Sequence, residues 1–419
     1  MDNIDKVGQY QYRKVLLTSS RGETVDIDTM VEGFNIYEDI YSNTMSGSMV
    51  ILDASGLMAT LPIIGQEVLT VEYELIGSPI IKLQFVVFKV ERKNRVRNAE
   101  MLQLHLVSQE AYVSTSSVIS RAYKGNNSSI VADVFTRYLG SKRKLLLEKT
   151  KGENHCICPK WNPFYFINWL AARSIPEQGS LPSYLFYENV EGFNFVSLES
   201  LFKQKEVYIW KHQMENAYAS ENAWTHDKIQ YNLATILKYN VLESNDFIMS
   251  QMEGMMNTEM YVVDYKSNGF KKVYFDYLTT FKKSAHLNSH PLITERATPF
   301  GYKYDSPGQT RVVYDNTAAH EMDTNRYSEW VLQRMSFMQQ LSGQRIQLDV
   351  AGQGMVKVGD VVKLEFPLLA TAQTGKDMLD PLISGRYLIT ALHHNFSPTT
   401  HSMSVECCKD STLPLPKIK

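Results

Sequence analysis

The segment Leu69-Thr70-Val71-Glu72-Tyr73-Glu74-Leu75 alternates apolar and polar residues without a break. A period of two puts Leu69, Val71, Tyr73 and Leu75 on one side of a strand and Thr70, Glu72 and Glu74 on the other, the pattern of a half-buried antiparallel strand. A long apolar run, Ile81 to Val90, follows it. Arg92 to Asn98 reads as a hairpin tip, and Leu102, Leu104 and Leu106 then alternate with Gln103 and His105. Far along the chain the same grammar returns. Gly359-Asp360-Val361-Val362-Lys363-Leu364-Glu365-Phe366 parallels Gly65 to Tyr73 with one residue deleted, so that Val362, Leu364 and Phe366 take the apolar face and Lys363 and Glu365 the polar one. Tyr387 to Leu392 supply the long apolar strand, His393 to Thr400 a polar tip, and Met403, Val405 and Cys407 the returning alternation. Apolar alternation recurs readily by chance. Strand order, tip and charge pattern recurring together point instead to an internal duplication.

The rest of the chain fits a fold that is mainly β with α+β insertions. Aromatics make up 11%, with 24 Tyr and 18 Phe, and β-branched residues cluster in short runs between Gly, Asn and Ser, a strand-rich composition. Val15 to Leu17, Val25 to Ile27, Val31 to Ile36 and Ser48 to Leu52 complete a first antiparallel β-barrel over residues 1–113. A second, similar barrel is expected from 227–254 and 326–408, with 409–419 as a C-terminal tail. Between them, 114–226 and 255–325 form a mixed α+β middle domain. There Ser128-Ser129 caps a helix ended by Gly140, and Asn162-Pro163 opens an aromatic helix through Phe164, Ile167, Trp169 and Leu170. Phe164, Ile167 and Leu170 are expected in the middle-domain core, with Trp169 largely buried, because so short a helix is held by packing. Tyr184 to Tyr187 and Phe193 to Leu198 pair as a hairpin, Tyr327 to Leu341 form a third helix, and Lys283 to Thr317 read as a long loop.

Candidate chemistry is scarce. The 43 basic and 45 acidic residues nearly cancel, so no global field would hold the chain to nucleic acid or an anionic membrane. The acidic N-terminus and the lack of a long apolar stretch imply neither a secretory leader nor a spanning helix. The four cysteines, Cys156, Cys158, Cys407 and Cys408, are too close in pairs to staple distant parts of a fold. His155-Cys156-Ile157-Cys158 lacks zinc-site spacing and a matching second pair. His393, His394 and His401 are expected at a solvated hairpin tip, as are Lys89, Arg92, Lys93, Arg95 and Arg97. Met249, Met252, Met255, Met256 and Met260 either fill a core or face a partner. No P-loop, nucleophile elbow or His-Glu-x-x-His occurs, and no catalytic residue, metal or cofactor is assigned.

The order of these pieces resembles a known family. Gly47-Ser48-Met49-Val50-Ile51-Leu52-Asp53, Leu61-Pro62-Ile63-Ile64-Gly65-Gln66-Glu67, the aromatic helix, the hairpin Tyr184 to Phe193 and the second barrel look like the baseplate hub protein of contractile-tailed bacteriophages. The layout is also similar to the head of the valine-glycine-repeat spike proteins of type VI secretion. The likeness covers residues 10 to 408. It implies a structural hub without enzymatic activity: a homotrimer whose barrels form a pseudo-sixfold ring joining a sixfold tail tube to a threefold central spike, with a channel for genome ejection. Its implied partners are itself, the spike, the tail tube or tube-initiator protein and surrounding baseplate proteins. DNA would be met only in transit, without membrane insertion, in the virion tail baseplate and the host cytoplasm during assembly. The chain ends at Lys419 with no β-helical needle, so a needle would be a separate chain. Leu69, Val71, Tyr73, Val362, Leu364 and Phe366 would build the ring strands, and Glu72, Glu74, Lys363 and Glu365 would face the channel, acidic in one repeat and mixed in the other. An envelope-degrading hydrolase or a β-type binding module of a contractile injection device is the alternative.

Overall fold

The computed structural model describes residues 7–414 except 55, 57–60, 62, 76–77, 97–98, 180, 213–231, 245, 265–267, 294–308, 315–326 and 369–378. The first repeat contains β1 (Tyr10–Thr18), β2 (Thr24–Asp26), β3 (Val31–Asp39), β4 (Ser46–Asp53), β5 (Val68–Leu75), β6 (Ile81–Val96) and β7 (Ala99–Ser108). Their inward residues, Val15, Phe34, Met49, Leu69, Val71, Tyr73, Phe85 and Leu104 among them, share one core. The middle of the chain adds β8 (Ile119–Gly125), β9 (Leu145–Leu147), β10 (Asn154–Trp161), β11 (Tyr184–Asn189) and β12 (Gly192–Ser197). Next come β13 (Tyr208–Lys211), β14 (Ile236–Glu243), β15 (Asn257–Asp264), β16 (Gly269–Asp276), β17 (His290–Pro291) and β18 (Gln309–Tyr314). The chain closes with β19 (Gln344–Ala351), β20 (Val361–Glu365), β21 (Gly385–Phe396), β22 (His401–Lys409) and β23 (Ser411–Thr412). Val362, Leu364, Phe366, Tyr387, Leu392 and Val405 lie in a second core.

The two repeats have one topology. The order β3-β4-β7-β6-β5 in the first is matched by β14-β19-β22-β21-β20 in the second. The irregularities match as well. β6 bulges against β7 between Val87 and Lys89, and β21 bulges against β22 between Ile389 and Ala391. β3 shifts register between Val31 and Gly33, and β14 between Ile236 and Lys238. A bulge bends a strand at a defined point, so its recurrence at two equivalent positions marks shared curvature as well as shared strand order. The repeats differ at one flank: β1 runs antiparallel to β5, while β13 runs parallel to β20. Between the repeats the ladder is continuous, because β21 pairs with β3 from Ala391↔Asp39 to Phe396↔Phe34.

Several expectations are corrected. Arg92 to Val96 and His393 to Phe396 extend their strands and are not tips; β3 of the first repeat runs along β21 and supplies it with a neighbour. Tyr208–Lys211, read as middle domain, is a strand on β20 of the second repeat. The expected loop over 283–317 holds β18, which pairs in parallel with β15. Residues 409–412 are buried, and β23 pairs with β17, so the second repeat continues past 408.

Between the repeats, α1 (Gln109–Ser116), α2 (Asn127–Val134), α3 (Pro163–Ala172) and α4 (Leu198–Phe202) accompany the middle sheets. Asn126, not Ser128, caps α2 by accepting from Ser129 N. Asn162 caps α3 by accepting from Tyr165 N, and Pro163 sits where its missing N–H costs nothing. α3 buries Phe166, Ile167 and Leu170, whereas Phe164 is only partly covered. Trp169 is half-buried, with the Arg173 guanidinium 4.0 Å from its ring. Farther on, α5 (Phe247–Met252), α6 (Tyr277–Phe281) and α7 (Tyr327–Ser342) flank a small sheet whose core takes Met255, Met256 and Met260, while Met249 and Met252 stay exposed.

Candidate functional site

Leu69, Val71 and Tyr73 point into the first core, and Val362, Leu364 and Phe366 into the second. Glu72, Glu74, Lys363 and Glu365 stand on the opposite faces of the same strands, partly exposed. The first face is not acidic. Glu72 lies in register between Lys14 on β1 and Lys82 on β6 and accepts from Lys82 Nζ at 2.7 Å. That hydrogen bond lowers its pKa. Glu74 accepts from Arg13 Nε at 3.0 Å. Lys14, Lys82 and Arg13 thus balance the two carboxylates, and cross-strand pairs of opposite charge stabilise a sheet face. In the second repeat Glu365 meets Lys363 at 2.7 Å and Lys211 at 3.4 Å. Burial raises its pKa, but the two lysines outweigh this and the net shift is downward. Both faces are near-neutral mosaics. The acidic first sector drawn from β5 alone fails because its counter-charges come from β1 and β6.

The seam between the repeats is aromatic, buried on the face of Phe34 and Phe396 and open to solvent on the face of Tyr37. Phe34 stacks on Phe396 at 5.7 Å, and Tyr37 on His393 at 4.6 Å. His394 and His401, read as a solvated tip, are 3% and 2% exposed, and His394 Nδ1 lies 3.0 Å from His401 Nε2. Burial, with His394 adding, pushes the His401 pKa well below the ordinary histidine value. Glu38 approaches His394 Nε2 at 3.7 Å.

A second joint attaches the middle domain. Glu188, on β11, is 1% exposed. One of its carboxylate oxygens accepts from Arg143, and the other from Met45 N at 2.9 Å and from the Ser108 hydroxyl. Arg143 also donates to Asn189 O at 3.1 Å and Val190 O at 2.9 Å. Burial pushes the Glu188 pKa up to about 7 despite the opposing pull of Arg143, Ser108 and Met45 N.

The sequence reading missed a Ser-His-Asp arrangement, whose aspartate lies far along the chain from the other two. Ser284 Oγ lies 2.9 Å from His286 Nε2, and His286 Nδ1 lies 2.5 Å from Asp410 Oδ2. Its geometry is that of a tie rather than a nucleophile. His286 Nε2 also faces Phe281 O at 2.9 Å, and a ring nitrogen that donates to a carbonyl is not free to take a proton from serine. Asp410 Oδ1 accepts from Leu287 N, and Asn288 bonds Ser411, so the cluster fastens residues 286–288 to β23. Among the described residues no His, Cys, Asp and Glu side chains group as metal ligands, and no helix is long and apolar enough to cross a membrane. All four cysteines are buried and none forms a disulfide, and burial pushes the Cys408 thiol up to about 12.

No protein-family model matches the chain. The probable baseplate hub protein gp334 of Vibrio phage KVP40 is 20% identical over 404 residues, 92% of this chain and 91% of that protein. The resemblance to phage baseplate hub proteins stands. The tail protein of Neisseria meningitidis MC58 superposes with a TM-score of 0.56 at 11% identity, covering 97% of this chain and 99% of the other. The 43 kDa tail protein of prophage MuSo2 from Shewanella oneidensis gives 0.54 at 10%, covering 95% and 98%. A chain of the Francisella PdpA-VgrG complex gives 0.51 at 9%, covering all of this chain and 61% of its own length. At these identities the structural likenesses establish a shared fold.

Proposed function

We propose that the chain is the structural hub of a phage tail baseplate, in the virion after assembly in the host cytoplasm. Three copies form a ring of six similar repeats, which matches a sixfold tail tube on one side and a threefold spike on the other and leaves a channel for the genome. The observation that carries this reading is the duplication itself: two repeats of one topology, with bulges at equivalent positions, joined edge to edge in one sheet. Repeating that join closes a ring and covers sheet edges that a single chain would expose. The likeness to a baseplate hub protein over nearly the whole chain supports it. Its partners are further copies of itself, the spike, the tube or tube-initiator protein and neighbouring baseplate proteins, with DNA passing through. Its work is geometric, and it has no catalytic role. The boundaries 1–113, 114–226 with 255–325, and 227–254 with 326–408 serve this reading as ring, middle and ring segments, with Tyr208–Lys211 and residues 409–412 added to the second ring segment. Mass photometry of the purified chain tests it. A trimer is expected, with a three- or sixfold ring in low-resolution images; a persistent monomer overturns it.

A further inference from the structure

Along α7, Trp330, Arg334 and Met338 follow one another at four-residue spacing, and Val331 and Met335 begin the adjoining row. Residues four apart share a helix face, so the two rows form one broad side. Met252, at the end of α5, lies against them, and together they line an open groove of about 550 Å³, a volume usual for a binding site. Two donors here lack the partner that burial demands. Trp330 is 9% exposed, and its indole N–H has no acceptor. Arg334 is partly buried, and among the described residues its one hydrogen bond is to Tyr184 O, at 3.1 Å. Burial lowers its pKa to about 10, and no carboxylate opposes that shift. A second guanidinium, that of Arg173, lies 5.3 Å from the Trp330 ring and donates to Trp169 O. Arg311 and Glu253 also stand at the walls, but among the described residues Glu253 makes no ion pair with Arg334 or Arg173. A buried donor or charge without a counterpart costs stability, and one anionic acceptor would satisfy both Trp330 and Arg334.

We propose that this groove receives an acidic residue carried on an otherwise apolar segment of another protein, its carboxylate held by the Arg334 guanidinium and the Trp330 indole N–H. The surroundings favour a polypeptide over a small molecule. Ile248, Met249 and Met252 of α5 are 70%, 47% and 62% exposed, so apolar surface runs on past the groove, where a small carboxylate would leave it bare and a peptide covers it. The unbranched methionines Met252, Met335 and Met338 adapt their shape to such a segment. The groove is built by one chain alone, and the inference stands whether or not the ring reading does.

The probe is a library of random dodecapeptides displayed on yeast and selected on the purified full chain; enriched peptides are synthesised and titrated by fluorescence anisotropy. Sequences with Asp or Glu between apolar residues are expected. Arg334→Gln keeps a donor for Tyr184 O and removes the charge, and should weaken these peptides about tenfold or more, the usual worth of a hydrogen bond between charged groups. Trp330→Phe keeps the ring and removes only the N–H, and should weaken them severalfold. Replacing the acid of the peptide by its amide should cost as much on the wild type and little on Arg334→Gln, because the two changes remove the same contact. A thermal melt checks that each variant folds; should Arg334→Gln not fold, Trp330→Phe and the amide peptide carry the test. A selection that yields no binder, peptides without an acid, or acidic peptides that bind both variants as tightly as the wild type overturn the proposal. An oligomer of the purified chain that dissociates on Trp330→Phe makes a second copy the occupant and overturns it too.

Discussion

Replacing Glu188 with glutamine should remove a loss of stability that the protein suffers between acid and mild alkali. The carboxyl sits at the joint of β11 with the first repeat, and burial lifts its pKa from 4.5 to about 7. A carboxyl raised in the folded state retains a proton there that the unfolded chain has released. Its contribution to stability is therefore complete below about 4.5 and is lost as the pH rises through about 7. At about 1.4 kcal/mol per pH unit, the interval amounts to on the order of 3 kcal/mol. Glutamine keeps the shape of the protonated acid and offers an oxygen to Arg143 and a donor to the Ser108 hydroxyl, but its Nε2 cannot accept from Met45 N as the carboxyl oxygen does, a loss that is the same at every pH. Urea unfolding followed by tryptophan fluorescence should give a wild-type midpoint that falls between pH 4.5 and pH 8 by more than that of Glu188→Gln. A pH slope that survives the substitution refutes the argument and places the cost of the buried charge elsewhere.

Phe166→Ala should cost about 3–5 kcal/mol and Phe164→Ala distinctly less, because only the first side chain is fully buried on α3; equal losses in melting experiments would contradict the packing. Gly359→Ala should be more destabilising than Gly22→Ala. Both have φ near +90°, worth roughly 1–2 kcal/mol to a residue with a Cβ, but only at Gly359 would that Cβ fall 2.1 Å from Tyr187 Oη; similar melting shifts would rule the clash out. Glu72→Lys with Glu74→Lys would turn the polar face around Arg13, Lys14 and Lys82 wholly basic. If that face lines the channel, the oligomer should form while genome release slows in a salt-dependent way, since screening acts over about 8 Å at physiological salt; unchanged release at every salt concentration would put this face outside the channel.

The legible parts of the molecule were those whose signal is local. The alternation in Leu69 to Leu75 and Val361 to Glu365 assigned inward and outward residues because a strand has period two whatever surrounds it. Asn162-Pro163 placed the start of α3, since a cap acts within one turn. Phe164 was misplaced and Phe166 missed because a helix that is apolar around much of its girth does not declare which side meets the core. Tyr208–Lys211 went unread because a four-residue strand carries too little pattern, and β18 was hidden in a stretch whose Pro, Gly and Asn content reads as loop.

By itself, the sequence determined the duplication: strand order and alternation are written twice in the chain. The tertiary structure decided what the second copy does to the first. The burial of His394 and His401 follows from β3 lying beside β21, and the neutrality of the Glu72 and Glu74 face follows from β1 and β6 bringing cations to β5. Strand partners are chosen by hydrogen bonds between backbones that all look alike in sequence. Which edges are joined, as at β21 and β3, is therefore settled only when the whole sheet is assembled.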